Sequence, residues 1–295
     1  MFLLLLTAVV SPVFSAEATD RLTVFTSILP QKFFVEQIAG DLAEVEVLVG
    51  PGMSPHTYEP LPMQMSRLSR AAMFFCIGVP FEKVLKQRLQ SICPDMKIVD
   101  TDKGVERRIM RSHIEEPHHD HAASESCSHA SGEPDPHVWL DPENVLVLSQ
   151  NIALALKEAL PDKSTIIDER LASFSTKLGE LIIELDRIME PVKGETMLVF
   201  HPAFGYFAER FGLEQESIEI EGKEPAPRQL AEIIRKCRAE NIHIIFVQKQ
   251  FPVAAAKNIA DAIDGAVVQI DPLAEDYFAS LKSLAVTVSE GLKKK

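Results

Sequence analysis

The stretch Leu22-Thr23-Val24-Phe25-Thr26, then Pro30-Gln31-Lys32-Phe33-Phe34-Val35-Glu36-Gln37-Ile38-Ala39-Gly40, then Val45-Glu46-Val47-Leu48-Val49 carries the first decision about the fold. The outer two segments are short and rich in β-branched and aromatic residues, which reads as strands. Between them a proline opens, and a glycine closes, a run with Phe33, Phe34 and Ile38 at helical spacing. The alternation continues outward. Gly50-Pro51-Gly52 ends the second strand, Leu61 to Ala71 has a helical period, Ala72 to Ile77 reads as a buried strand, Phe81 to Ile92 as a helix and Lys97 to Asp100 as a fourth strand. Strands alternating with helices predict an α/β lobe built on a mostly parallel sheet flanked by helices.

The second half repeats the first in kind. Met197 to Phe200 reads as a strand, Phe204 to Phe211 as a helix stopped by Gly212, and Glu216 to Ile220 as a strand. Arg228 to Ala239 and Val253 to Asp264 read as helices around the strands His243 to Val247 and Ala266 to Ile270, and Tyr277 to Gly291 closes the chain as a helix. Two helical stretches, Pro142 to Leu160 and Lys163 to Met189, lie between the halves. The expected division is a signal peptide at 1–16, an N-terminal lobe at 20–160, a linking helix at 163–190 and a C-terminal lobe at 195–295.

With 295 residues the chain is long enough for two such lobes, and its formal net charge of −13 disfavours nucleic acid or anionic lipid as a partner. A cation suits this surface better. Residues Phe2 to Val10 are apolar apart from Thr7, and Pro12-Val13-Phe14-Ser15-Ala16 offers small residues for cleavage, so a secretory signal and a periplasmic location are expected. No other segment is apolar for the length of a membrane helix. The first cysteine is Cys76, so no lipid anchor is expected near the cleavage point. Cys76, Cys93, Cys127 and Cys237 allow three pairings, with Cys76 and Cys237 read as buried free thiols.

In the middle of the chain stands Gly132-Glu133-Pro134-Asp135-Pro136-His137-Val138-Trp139-Leu140-Asp141-Pro142-Glu143-Asn144. Each proline fixes its own φ and pushes the residue before it out of the helical region, so His137 sits on a stiff segment with a set direction. Just before it, residues 106–131 hold His113, His118, His119, His121 and His129 with almost nothing apolar. Such a stretch cannot bury enough surface to order itself, so a mobile His-rich loop is expected, with possible auxiliary metal affinity to which Cys127 could add.

Three further residues that can bind a metal stand just beyond apolar strands. His56 follows the second strand through a Gly-Pro-Gly turn, His201 follows Phe200, and Asp271 follows Ile270. In open parallel sheets that edge is where ligands bind. Together with His137 these residues make a compact set of three imidazoles and one carboxylate, which suits zinc; harder ions favour a second carboxylate. Glu59 is a possible auxiliary ligand. Each residue also has a plain structural reading: His56 as a cap, His137 bonding within its turn, His201-Pro202 as a strand-end turn, Asp271-Pro272 as an N-cap. His243 begins a strand with no loop to present it and is read as structural.

The phrases Gly52-Met53-Ser54-Pro55-His56-Thr57-Tyr58-Glu59-Pro60, Asp135-Pro136-His137-Val138-Trp139-Leu140-Asp141-Pro142, His201-Pro202-Ala203-Phe204-Gly205-Tyr206-Phe207 and Asp271-Pro272-Leu273 resemble those of the periplasmic metal receptors of ABC importers, the zinc receptors in particular. The resemblance runs from about residue 22 to the C-terminus. It implies two α/β lobes joined by one long rigid helix, and Zn²⁺ held between them by His56, His137, His201 and the carboxylate of Asp271. It further implies a high-affinity receptor, not an enzyme, that acts as a monomer and delivers zinc to a membrane ABC permease. In manganese members of the family the third histidine is a carboxylate, so His201 points to zinc, and a His-rich loop is also typical of zinc receptors. The disulfide that some members carry in the second lobe has no counterpart, since no cysteine follows Cys237. The rival readings are a manganese or iron receptor, a zinc hydrolase, for which Glu59 is the only acid close in sequence to a proposed ligand, and a cell-adhesion or structural protein. Imidazoles must be neutral to ligate, so acid is expected to weaken binding.

Overall fold

The computed structural model describes residues 21–110, 133–219 and 225–293. The signal peptide expected at 1–16, Cys127 and the five histidines of the His-rich stretch lie outside them.

The first lobe holds β1 (Leu22–Thr26), α1 (Leu29–Ala39), β2 (Ala43–Val47), α2 (Pro62–Leu68), β3 (Met73–Cys76), α3 (Glu82–Ile92) and β4 (Lys97–Asp100). Its sheet runs β2-β1-β3-β4, all parallel. After α4 (Pro142–Ala159) and α5 (Ser164–Met189), the second lobe holds β5 (Thr196–Val199), α6 (Gly205–Phe211), β6 (Glu214–Ser217), α7 (Pro227–Ala239), β7 (Ile244–Gln248), α8 (Val253–Ala262), β8 (Ala266–Ile270) and α9 (Tyr277–Leu292). Its sheet order, β6-β5-β7-β8, repeats the first strand for strand.

Local chemistry sets the helix limits. Pro30 stands in the first turn of α1 and Gly40 stops it at φ 54°, a region where a Cβ is costly. The Asp141 carboxylate accepts from the Glu143 N–H to cap α4, with Pro142 at the first helical position. Gly212 ends α6 in the left-handed region at φ 67°. With 26 residues, α5 spans roughly 39 Å. Its buried stripe Ile167, Phe174, Leu178, Leu181, Leu185 and Met189 packs against α1 and α4 at one end and α9 at the other.

The lobes share one interior. Phe34 of α1 meets Tyr277 of α9 edge-on at 4.8 Å between ring centres, Phe33 meets Phe278 at 5.4 Å, and Phe174 of α5 lies 6.1 Å from Phe34. Across the cleft, Trp139 Nε1 donates to Pro272 O at 2.8 Å, and Tyr277 Oη donates to Trp139 O at 2.8 Å. A smaller apolar cluster, including Leu198, Ile233, Ile245, Val247 and Ile259, lies elsewhere in the second lobe.

Two strands differ from the sequence reading, each beginning two residues early. The expected strand at Val45 to Val49 is β2 at Ala43–Val47, and that at Glu216 to Ile220 is β6 at Glu214–Ser217. Both are edge strands, whose solvent-facing glutamates hide the strand signal. Beyond each, two residues still bond to the neighbouring strand: Leu48 N to Thr26 O and Val49 N to Ser27 O, Ile218 N to Val199 O and Glu219 N to Phe200 O. The first residues of the stretch expected to be a loop from 106 are instead paired: Met110 N bonds to Glu133 O, Asp135 N to Arg108 O, and Ile109 pairs antiparallel with Pro134. Among the described residues Cys76, Cys93 and Cys237 are free, the first and last of them buried.

Candidate metal centre

Three segments bring three imidazoles to one point. The turn after β2 passes through Gly52 at φ 75°, and its far end is tied back by Gln64, whose Nε2 donates to Leu48 O at 3.0 Å and whose Oε1 accepts from Tyr58 Oη at 2.8 Å. Ser54 Oγ accepts from His56 N at 3.3 Å within it. His137 precedes a buried 3-10 turn of Val138, Trp139 and Leu140. Asp135 Oδ1 receives both its backbone N–H at 3.0 Å and its Nδ1 at 2.7 Å. His201 sits two residues past β5, clasped by Gln248, which donates to its carbonyl at 2.6 Å and accepts from its N–H at 3.3 Å. Its Nδ1 meets the Glu219 carboxylate, and its ring stacks on Phe251 at 5.2 Å.

A nitrogen facing a carboxylate is the one placed to carry the ring proton, and in His137 and His201 that is Nδ1, which turns Nε2 inward. The Nε2 of His56 lies 3.3 Å from that of His137 and 3.1 Å from that of His201. Ligand atoms of all three residues fall within 4.8 Å of one another. Lone pairs so placed repel unless a proton or a metal cation lies between them. Tetrahedral zinc with nitrogens at about 2.0–2.1 Å separates them by roughly 3.3–3.4 Å, close to the observed spacing. The trio lines a small cleft together with Ser54, Pro55, Trp139 and Gln248. Burial, followed by the neighbouring His137 and His201, pushes the His56 pKa down to about 2. Burial also lowers that of His137, against the upward pull of Asp135.

The other predicted site residues lie apart from the trio. Asp271 follows β8 as expected, but its Oδ1 accepts from Leu273 N at 3.0 Å and Gln250 Nε2 at 3.3 Å, and its Oδ2 faces Lys249 Nζ at 3.3 Å. The Asp-Pro turn has satisfied the carboxylate locally, so the structure does not bring it to the histidines. Glu59 is exposed and outside the group. His113, His118, His119, His121 and His129 lie beyond the described residues. His243 Nδ1 bonds to Ile263 O at 3.0 Å, a structural role. Two residues the sequence reading passed over, Asp135 and Glu219, touch the site through the imidazoles. Asp135 stood inside the quoted phrase but was read only as the partner of a proline. Glu219 lies 18 residues from His201 and no spacing rule joins them.

Residues 24–291 match the family model described as "ZnuA: Zinc-uptake complex component A periplasmic". The chain is 27% identical over 286 residues, 97% of each chain, to a putative metal-binding protein of Chlamydia trachomatis serovar D. It is 28% identical over 266 residues, 85% of this chain and 82% of the relative, to the high-affinity zinc uptake system protein ZnuA of Yersinia pestis. Among solved structures, a crystal structure of ZnuA matches with a TM-score of 0.83 and 33% identity, covering 92% of this chain and all of that one.

Proposed function

The chain belongs to the zinc-uptake complex component A family, and from that premise we propose that it captures Zn²⁺ between its lobes with His56, His137 and His201 and delivers it to an ABC permease. The observation that supports this is the meeting of the three imidazoles, with the Nε2 of His56 3.3 Å and 3.1 Å from those of His137 and His201, two spacings close to the edge of a zinc-nitrogen tetrahedron, and all three ligand atoms within 4.8 Å of one another. An all-imidazole group favours zinc over manganese, which suits carboxylate oxygen. The fourth position goes to a water or, if it leaves its present partners, to the carboxylate of Asp271. The ion is held and passed on without turnover.

The family's description as a periplasmic component of a zinc-uptake complex supports the periplasm as its place of work and a permease as its partner. No helix among the described residues is long and apolar enough to cross a membrane. The chain is read as working as a single copy. The test is metal analysis of protein purified without chelator, followed by zinc titration against a chromogenic competitor. One zinc per chain is expected, lost in His201→Ala and resistant to excess manganese. Protein that takes up no zinc, or that releases it to manganese, overturns the reading.

A further inference from the structure

A centre of neutral imidazoles leaves two things unexplained: what holds the rings in the right tautomer, and what balances a doubly charged ion in a buried place. The two carboxylates behind the rings answer both. Asp135 is fully buried and Glu219 is 8% exposed, and carboxylates are seldom placed so deep without a task or a partner. Asp135 spends one oxygen on His137, both N–H and Nδ1, and its other oxygen looks towards Arg108 Nη1 at 3.5 Å. Glu219 faces His201 Nδ1. Among the described residues no carboxylate stands behind the ring of His56.

The twin lobe shows that the scaffold does not ask for the second pair. Val199 pairs with Ser217 as Thr26 pairs with Val47. Counting two residues beyond each, His201 and Glu219 occupy the positions of Ile28 and Val49. The backbone bonds correspond as well, Glu219 N to Phe200 O matching Val49 N to Ser27 O. Ile28 and Val49 are buried at 0% and 2% exposure. The same backbone is therefore satisfied by an aliphatic pair, and the imidazole-carboxylate pair is an addition to it.

We propose that Asp135 and Glu219 are positioning residues of the metal centre, which fix His137 and His201 as Nδ1–H tautomers with Nε2 turned to the ion and supply the two negative charges that a divalent cation among neutral ligands requires. This rests on the zinc reading above for its charge argument, while the tautomers belong to the metal-free protein. Outer carboxylates of this kind raise the basicity of the ligating nitrogen and hold the ring in place. His56, on its turn and without such a partner, is the ligand left free to reorient.

The experiment compares wild type with Glu219→Gln, Glu219→Asp and Asp135→Asn by ¹⁵N-histidine NMR of the metal-free protein, zinc competition titration and thermal unfolding without metal. In wild type both rings show the Nδ1–H signature. Glu219→Gln is expected to turn His201 into a mixture of tautomers with His137 unchanged, and to weaken zinc binding by about 10–100-fold. Asp135→Asn does the reverse, and Glu219→Asp restores much of the loss. Tautomers unchanged in both amide variants, or zinc affinity within twofold of wild type, overturns the proposal. So does an affinity loss matched by equal loss of metal-free stability with the tautomers intact, which assigns the acids to packing. If wild type binds no zinc, the functional reading falls, and the tautomer arm still decides whether the acids position the rings.

Discussion

The two lobes are the same object built twice, and they differ most at the ends of their first two strands. In the first lobe Ile28 and Val49 fill the space with hydrocarbon; in the second His201 and Glu219 fill it with an imidazole and an acid. The strand order and the register are alike. One lobe therefore shows what stability asks of this corner, and the other what the proposed metal centre adds to it. The first lobe instead offers its histidine from the longer turn beyond β2, so one imidazole of the trio rides on a loop and another on a strand end.

The strongest way to break this comparison is to copy one corner into the other. His201→Ile with Glu219→Val is expected to weaken zinc binding by more than about a thousandfold, over 4 kcal/mol. Removing a buried polar pair in favour of aliphatics should leave the metal-free protein as stable, or roughly 1–4 kcal/mol more stable, in urea unfolding. A double variant that unfolds more easily would show that the corner is not shared architecture. Next in size is the seam between the lobes. Trp139→Ala empties a buried indole and removes the bond to Pro272 O, and should cost about 3–4 kcal/mol by the same measurement.

A smaller effect separates the loop histidine by pH. The unfolded chain protonates this imidazole near 6.5, while burial keeps the folded one neutral to about 2. Between those values the unfolded state binds more protons, so His56 costs stability as pH falls below 6.5, by up to about 1.4 kcal/mol per pH unit. Glu82, raised to about 7 by burial, and Asp141, raised to about 6, act oppositely, since the folded state takes up their protons at higher pH than the unfolded chain does. The contrast of wild type with His56→Gln isolates the term: the variant's metal-free stability should fall less steeply between pH 6 and 4. For the same reason zinc binding should displace no proton from His56 at neutral pH, and calorimetry in buffers of different ionisation heat should count fewer protons than three ordinary imidazoles would release. The smallest change expected is for Asp271→Asn, under about threefold in zinc affinity; a loss as large as that of His201→Ala would mean that the carboxylate swings in with the ion.

Much of this was legible in the sequence. Short apolar runs at Leu22, Met73, Met197 and Ile244 gave the central strands, because strands buried on both faces need continuous hydrocarbon. Of the edge strands, β4 and β8 were legible from their Ile-Val and Val-Val cores, while β2 and β6 were placed late, since Glu44, Glu214 and Glu216 look like loop. His56, His137 and His201 were readable because each stands where strand ends or paired prolines fix direction. Asp271 shares that position and was expected to join them. Position tells where a residue is, but its oxygens were already taken by Leu273 N, Gln250 and Lys249. Asp102 occupies the matching place in the first lobe and pairs with Arg107, so an acid here is a habit of the scaffold. Glu219 was invisible because its meaning arises only when β6 lies beside β5.

The seam of Trp139, Phe34, Phe174 and Tyr277 makes the interior of the two lobes continuous. Calorimetry on the metal-free protein should then record one heat-absorption peak whose van't Hoff and calorimetric enthalpies agree, in place of the two expected of independent halves. A molecule that melts as a unit has no independent halves to draw apart, so on the proposed reading release of the ion is expected to come from a local rearrangement at the rim of the cleft.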